Sequence, residues 1–400
     1  MNLLLFYLLT LSNNNYHTLE TKLLENYSTS NIPSINHETI NVQLGIAIRA
    51  INNIDQIEGT VTSNIWLRYY WHDDFLSWNP ETNSNISEII FNTDPSNDKH
   101  IWTPDMYLYN TAEKPLDSLG YTHAVVQHTG YVFWSRPGLI TSTCVFNLDL
   151  FPFDTQYCYL KFGSWVYSKE KLNLTQFNVS IDFDNYQQHD GWEIISNRTE
   201  YTEQRYACCS DLYPDLKFHF TLRRKAGFYN INIIVPTFAT AFLMLISLFI
   251  PWDSGERISF AVTVMLSIIV FLLILSDNLP KTDTIPLLSR MLIGLTIFSL
   301  VIVFFTVIIT AIHSHKPNKN SYYVKFLNKI CEYNCRAHRA LRESLYRRNS
   351  YLEAIENHNE NIIDENNCED YANIIETWFT LIFTVSFIIY SSVVFSSIPS

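Results

Sequence analysis

The stretch CVFNLDLFPFDTQYC, residues 144–158, begins and ends with a cysteine and holds Pro152 between two phenylalanines. Disulfides persist in secreted and extracellular proteins and are rare in the cytosol. On its own, the stretch therefore indicates only a small extracellular disulfide loop. Whether an extracellular setting is correct, and which fold carries the loop, depends on the sequence around it.

Charge-free segments divide the chain near residue 228. The protein has 400 residues, of which 47% are hydrophobic, and a formal net charge of −12. The uncharged runs lie at 226–252, 258–276, 291–315 and 377–400. A helix needs about 20 apolar residues to cross a bilayer. We therefore predict four transmembrane helices.

Several features predict that the N-terminal half is extracellular. An apolar run from Leu3 to Leu11 predicts a secretory signal peptide over residues 1–15, although the positively charged residues that usually precede such a run are missing. Residues 313–348 contain nine Lys and Arg against two acids, which predicts a cytoplasmic loop. Five Asn-x-Ser/Thr glycosylation sites precede the first span, at Asn26, Asn85, Asn173, Asn178 and Asn197.

Short strands and one helix are predicted for this half. Leu19, Leu23 and Leu24 have helical spacing within residues 16–27. Segments such as INVQLGIAI, TVTSNIWLRYYW and VSIDFD follow, with turn residues between them. This succession of short strand segments and turns is typical of an all-β, immunoglobulin-like sandwich. Near-continuous helix is the alternative, and the β-branched and aromatic content opposes it.

Cys208 and Cys209 are adjacent in the segment RYACCSDLYPD. Adjacent Cα atoms lie about 3.8 Å apart, which is less than the roughly 4.4–6.8 Å of ordinary disulfides. A bridge here would close almost no loop, so it would stabilise the fold little. The pair therefore indicates a role other than stability.

The loop and the cysteine pair together resemble one family. The stretch at 144–158 is similar to the signature loop of the Cys-loop receptors, the pentameric ligand-gated ion channels. The adjacent cysteines resemble those of nicotinic acetylcholine receptor alpha-type subunits. The resemblance runs from the N-terminal helix to the fourth span and fails mainly in the cytoplasmic loop. It implies the disulfides Cys144–Cys158 and Cys208–Cys209, the second at a hairpin tip that closes over and contacts the agonist.

The resemblance also implies an aromatic agonist site. WTPDMYLYN supplies Tyr109, KFGSWVYS supplies Trp165, and NIWLRYYW supplies Trp66 for the complementary face. Tyr206 and Tyr213 flank the cysteine pair. Such rings hold a quaternary ammonium by cation–π attraction of about 0.5–2 kcal/mol per contact. Each ring taken alone could belong to the sandwich core, but their occurrence with the cysteine pair favours the site.

Two departures from the family pattern bear on the agonist. Ser168 and Lys169 stand where nicotinic subunits often have an acidic residue and a glycine. Val125, Phe133 and Ser135 occupy complementary-face positions that vary in the family with ligand preference. Acetylcholine is therefore the favoured agonist.

Further residues resemble the family's coupling machinery, which transmits agonist binding to the pore. Lys161 and Asp215 match a polar group that rearranges with Tyr206 when the hairpin closes, although a weak surface ion pair is the alternative. Arg224 matches an arginine just before the first span. The loop FPFD is implied to press on residues 278–286, which link the second and third spans; it contributes Phe151, Pro152 and Asp154.

One face of the predicted second span resembles a pore lining. This face carries acids at both ends, hydroxyls near the N-terminal end and apolar groups in the middle. Its residues are Glu256, Ser259, Thr263, Leu266, Val270, Ile274 and Asp277. Packing of the hydroxyls against neighbouring helices is the alternative. Rings of carboxylates select cations, and the Pro-Ala insertion of anion-selective relatives is missing before Arg257. Residues 1–228 carry 15 basic and 25 acidic side chains, a net charge of −10 that would attract cations.

These patterns predict a subunit of an acetylcholine-gated, cation-selective channel of the excitatory type, with no cofactor, metal or nucleic acid. The expected partners are an amine agonist, membrane lipid, permeant cations and four further subunits of the same or a related type. We expect it in the postsynaptic plasma membrane with both termini extracellular. The predicted segments are the signal peptide at 1–15, a ligand-binding β-sandwich at 16–228, three transmembrane helices at 229–312, a cytoplasmic loop at 313–375, and the fourth helix with the C-terminus at 376–400.

Three alternatives stay open at this point. The first is a channel of the same fold that is gated by another amine, such as choline. The second is an accessory subunit that does not conduct. An enzyme is the third, and it is opposed because the sequence lacks a Cys-x-x-Cys motif, a nucleophile triad and a cofactor loop.

Overall fold

The computed structural model describes residues 15–36, 38–113, 118–251, 254–281, 284–313 and 363–396. The predicted signal peptide, apart from residue 15, and most of the predicted cytoplasmic loop lie outside the described residues. The chain forms two compact units. Of the described residues, those up to Leu148, in Phe153–Ala226 and in Leu279–Thr282 belong to the first unit, and Asp149–Pro152 and the others from Gly227 onward belong to the second.

Ten strands form two sheets in the first unit. They are β1 Ile40–Asp55, β2 Thr60–Ser77, β3 Glu88–Phe91, β4 Met106–Leu108, β5 Ala124–Gln127, β6 Thr129–Thr143, β7 Thr155–Ser164, β8 Leu172–Asp182, β9 Trp192–Arg205 and β10 Leu212–Arg224. The first sheet has the order β3-β5-β6-β2-β1-β8, and the second has the order β4-β7-β10-β9. Neighbouring strands are antiparallel except β1 and β8, which are parallel.

The core of this unit lies between the two sheets. Successive side chains of a strand point to opposite faces, so alternate residues of β2 are buried. The largest fully buried side chains come from both sheets and include Tyr69, Trp71, Trp134, Phe162, Phe218 and Phe220. The predicted β-sandwich is confirmed. INVQLGIAI lies in β1, TVTSNIWLRYYW lies in β2, and VSIDFD covers the end of β8 and the two residues after it.

A helix at residues 15–24 precedes the strands, in agreement with the sequence prediction. Leu19 is buried in the core. Tyr27 donates a hydrogen bond of 2.6 Å to Oδ2 of Asp73 and accepts one of 3.1 Å from the backbone N–H of Trp102. Burial raises the pKa of Asp73 to about 6. The chain after the helix is therefore attached to the sandwich by a buried carboxyl.

A disulfide joins Cys144 to Cys158. Cys144 directly follows β6, which belongs to the first sheet, and Cys158 lies in β7 of the second. The bridge therefore links the two sheets covalently.

Four apolar helices make up most of the second unit. They run over Gly227–Phe249, Arg257–Asp277, Leu287–His313 and Ile363–Ser396. Each contains a segment that is long and apolar enough to cross a membrane, which agrees with the four predicted spans. The first helix has a π-helical segment over Asn230–Ile234 just before Pro236, where the missing proline N–H interrupts the regular hydrogen bonds.

The third and fourth helices pack closely. The Tyr390 hydroxyl donates a hydrogen bond of 3.0 Å to the carbonyl of Arg290. A Cβ at Gly294 would lie 1.9 Å from that hydroxyl, so only glycine permits this approach. Phe305 stacks on Phe379 with the ring centroids 3.5 Å apart.

Candidate functional site

Four neighbouring strands of the second sheet bring together most of the predicted agonist residues. Tyr109 directly follows β4, and Trp165 directly follows β7. Tyr213 lies in β10, and Tyr206 directly follows β9. Because β4, β7, β10 and β9 are adjacent in that order, residues that are distant in sequence meet at one edge of the sandwich.

These residues line a cavity of about 610 Å³, a size suited to a small ligand. Tyr109 and Trp165 meet edge to face with their ring centroids 6.3 Å apart, and Tyr206 and Tyr213 do so at 5.8 Å. Trp165 is 63% exposed, so it does not belong to the core. The lining consists of Tyr109, Asn110, Tyr159, Lys161, Trp165, Tyr206, Cys208, Cys209 and Tyr213.

Asp105 holds the segment around Trp165. Its carboxylate accepts hydrogen bonds of 2.6 Å from the Ser164 hydroxyl and 2.8 Å from the Val166 N–H. Its carbonyl accepts one of 3.3 Å from the Trp165 N–H. Burial raises the pKa of Asp105, and these hydrogen bonds oppose that shift. The indole is therefore attached to a fixed backbone before any ligand binds. Sequence reasoning missed Asp105, although it lies within the quoted segment WTPDMYLYN.

Gly163 allows Tyr109 to approach β7. A Cβ at Gly163 would lie 2.7 Å from the Tyr109 ring, a distance that requires something to shift. The Tyr109 hydroxyl donates a hydrogen bond of 2.5 Å to the Ser164 carbonyl. Burial, with Tyr206 and Asp215 nearby, raises the Tyr109 pKa, so the hydroxyl stays neutral. Sequence reasoning also missed Gly163, and its only signal was its place two residues before Trp165.

Cys208 and Cys209 are bridged at the tip of the β9–β10 hairpin. The strand pairing ends at Arg205 and Leu212, and the Cys209 N–H donates to the Tyr206 carbonyl at 3.1 Å. The tip is therefore ordered by the disulfide and one backbone hydrogen bond.

Lys169, which departs from the family pattern together with Ser168, contacts the same hairpin. Its backbone N–H donates to the Leu212 carbonyl at 2.8 Å. Its Nζ atom lies 2.5 Å from Oε1 of Glu203 in β9. Lys169 thus connects the segment that carries Trp165 to the hairpin that carries the cysteines.

Lys161 and Asp215 form an ion pair beside the cavity. The Lys161 Nζ lies 3.2 Å from Oδ2 of Asp215 and 5.4 Å from the centre of the Tyr109 ring. The pair is not on the open surface, because Asp215 is buried and also accepts a hydrogen bond from Thr202. Oδ2 of Asp215 has no hydrogen-bond partner among the described residues, so its contact with Lys161 is ionic.

The remaining predicted coupling residues lie in two groups. Arg224 makes a bidentate contact of 2.6 and 2.9 Å with Asp154, and both side chains are buried. Its guanidinium also donates to Gln56, which the sequence analysis did not single out, and stacks on Trp192.

The second group belongs to the second unit. Phe151 packs edge to face on Tyr229, with the ring centroids 4.8 Å apart, and is followed by Pro152. The Asp149 carbonyl accepts a hydrogen bond of 2.9 Å from the Leu287 N–H. Leu287 is the residue after the predicted linking segment 278–286.

Trp66 does not line the cavity. It lies in β2 of the other sheet and is 38% exposed. The Arg49 guanidinium lies over its ring, 4.2 Å from the centroid. One face of the indole is therefore already covered by a cation from the same chain.

The predicted pore-lining residues share an exposed face of the second apolar helix. Leu266, midway along that face, is 58% exposed. The buried residues Ala261, Val264 and Ile268 lie on roughly the opposite side, as a period of about 3.6 residues requires. The exposed face consists of Glu256, Ser259, Thr263, Leu266, Val270, Ile274 and Asp277.

The predicted glycosylation sites differ in accessibility. Asn26, Asn85 and Asn197 are exposed. Asn173 is half-buried, and its amide nitrogen donates to Asn41 at 3.0 Å. The side chain of Asn178 lies outside the described residues.

A β-sandwich with an aromatic cavity, followed by four apolar helices, defines a class of membrane receptor. Residues 17–226 match the neurotransmitter-gated ion-channel ligand binding domain, and residues 233–335 match the neurotransmitter-gated ion-channel transmembrane region. The chain belongs to the neurotransmitter-gated ion-channel family, whose members are channels and not enzymes.

Its relatives include acetylcholine receptor subunits. Acetylcholine receptor subunit alpha-L1 of Schistocerca gregaria is 35% identical over 311 residues, covering 74% of this chain and 54% of the relative. Neuronal acetylcholine receptor subunit alpha-2 of Gallus gallus is 34% identical over 285 residues, covering 71% and 53%. The chain therefore spans about half the length of these relatives.

Proposed function

We propose that this chain is a subunit of an acetylcholine-gated, cation-selective channel of the excitatory type. The observation that carries the proposal is the aromatic cavity around Trp165, beside the bridged Cys208–Cys209 pair. An ammonium group can enter this cavity because Trp165 and Tyr206 are exposed. The names of the relatives favour acetylcholine among the amines.

Agonist binding would use two subunits. Electron-rich rings attract the ammonium, and each good contact contributes about 0.5–2 kcal/mol. Trp66 would complete the site from the complementary face of a neighbouring subunit, in a pentamer with four further subunits of the same or a related type. The hairpin tip at Cys208 and Cys209 would close over the bound agonist.

Ions would pass along the exposed face of the second helix. Five copies of Glu256 and of Asp277 would form carboxylate rings that favour cations, and Leu266 would form an apolar constriction between them. The receptor would lie among the lipids of a postsynaptic plasma membrane, with both termini extracellular.

The direct test is electrical recording from cells that express only this chain. Currents evoked by acetylcholine, with a reversal potential that follows the Na⁺ gradient, are expected. Stronger responses to choline or a biogenic amine would assign another agonist. A chain that reaches the surface but conducts only with a co-expressed subunit would be an accessory subunit.

A further inference from the structure

An ion pair joins the second and fourth apolar helices beside the predicted pore. Arg257 begins the second helix and is only 1% exposed, although the preceding residue, Glu256, is exposed. Its Nη2 donates a hydrogen bond of 3.2 Å to the Leu248 carbonyl. Its Nη1 forms an ion pair with Oε1 of Glu376, whose side chain is 20% exposed.

Glu376 is the countercharge of this arginine within the part of the chain that the structure describes. The Nε and Nη1 atoms of Arg257 have no well-directed hydrogen bond, so the contact with Glu376 is ionic. A buried guanidinium without a partner is strongly unfavourable. The pair therefore fixes both the position and the electrostatic effect of Arg257.

The charge of Arg257 matters because of where it lies. Glu256 and Arg257 are consecutive, and their Cα atoms are about 3.8 Å apart. Charges closer than a Debye length of about 8 Å act on one another at physiological salt, and buried charges are screened even less. An uncompensated Arg257, next to Glu256 along the chain, would therefore weaken the negative field that Glu256 provides.

We propose that Glu376, on the fourth helix and outside the pore, is a selectivity-determining positioning residue. It neutralises Arg257 and holds it against the Leu248 carbonyl, so that the negative charge of Glu256 at this end of the second helix stays uncompensated. The inference rests on the proposed function, because it requires Glu256 to face a cation pathway.

Three variants test this charge balance through the Na⁺/Cl⁻ permeability ratio, measured from reversal potentials in salt gradients. Glu376→Gln leaves Arg257 uncompensated, so the ratio should fall by on the order of twofold or more. Arg257→Gln leaves two carboxylates and should raise the ratio. The double variant has the parental net charge and should restore the parental ratio.

The double variant also separates selectivity from folding. It removes both charges, so it leaves no buried arginine without a partner and is expected to reach the surface even if Glu376→Gln does not. Glu376→Asp should retain the parental ratio. A matched control is Tyr390→Phe, which removes a contact between the third and fourth helices without changing charge, and should leave the ratio unchanged.

Glu256→Gln distinguishes a failure of this inference from a failure of the proposed function. If Glu256→Gln lowers the ratio but Arg257→Gln leaves it unchanged, or the double variant stays as low as Glu376→Gln, the role of Glu376 is wrong. If Glu256→Gln itself has no effect, the proposed cation pathway past Glu256 fails, and this inference fails with it.

Discussion

Trp165 is the residue on which agonist potency is expected to depend most. Its indole is exposed to the cavity and attached to a segment fixed by Asp105. Trp165→Ala removes a cation–π contact of up to about 2 kcal/mol, so the half-maximal agonist concentration should rise by up to about thirtyfold. Dose–response recordings, normalised to surface labelling, measure the effect.

Trp66→Ala is the matched comparison. Because the Arg49 guanidinium already covers one face of Trp66, an ammonium gains less from this ring. The potency loss should therefore be smaller than at Trp165. A larger loss for Trp66→Ala would place the ammonium at the complementary face instead.

Replacement of both Cys208 and Cys209 by serine should lower agonist potency and leave folding largely intact. The bridge spans adjacent residues, so it constrains the unfolded chain very little. Surface labelling and dose–response recording measure the two effects separately. A double variant that fails to reach the surface would show that the bridge serves folding.

Asp73 predicts a pH dependence of stability. Burial raises its folded-state pKa from 3.8 to about 6, so the folded protein binds this proton more tightly than the unfolded chain does. The contribution of Asp73 to the free energy of unfolding is about 3 kcal/mol below about pH 4. It is lost as the pH rises through about 6. Asp73→Asn should therefore make the midpoint of thermal unfolding fall less between pH 4 and 7. Parallel pH profiles for the variant and the parent would contradict this assignment.

At the scale of elements, the second apolar helix carries the gating prediction. Leu266 lies on its exposed face, where five leucines would form a constriction that water leaves spontaneously. Leu266→Ser removes apolar contacts worth about 1.5–3 kcal/mol per fully buried leucine, mainly from the closed state. The channel should open at lower agonist concentration. Unchanged potency with reduced thermal stability would mean that Leu266 packs against lipid or another helix.

The elements themselves were the most predictable part of the molecule. Strand periodicity predicted the sandwich, and charge-free length predicted four helices, because both depend only on local side-chain pattern. The sheet order β4-β7-β10-β9 was not predictable from pattern, since it depends on contacts between distant strands. That order is what brings Tyr109, Trp165 and Tyr213 together.

Several residues around the cavity carry no sequence signal of their own. Asp105 is a buried carboxylate whose partners are fixed only by folding, and Gly163 matters only because the Tyr109 ring approaches its backbone. Gln56 binds Arg224 across a long sequence separation. Such contacts follow from tertiary structure, so the sequence could predict the aromatic residues but not what holds them.

At the scale of the whole molecule, the Arg224–Asp154 pair should be needed for the receptor to fold and reach the surface. Both side chains are buried, and removing one partner of such a pair costs about 3–5 kcal/mol. Asp154→Asn should therefore sharply reduce surface labelling of the full chain. The exposed pair Arg223–Glu193 offers a control, since Glu193→Gln should change surface labelling little. Equal losses in the two variants would contradict a special role for the buried pair.

The parallel pairing of β1 with β8 has a consequence for biosynthesis. Ile40 pairs with Leu172, so the partner of an early strand is translated long after it. At roughly 5–20 residues per second, the open edge of β1 waits on the order of ten seconds for β8 to leave the ribosome. An unpaired strand edge is a template for association with other chains. Chaperones that bind extended segments would therefore meet the nascent chain at β1, before the first sheet is complete.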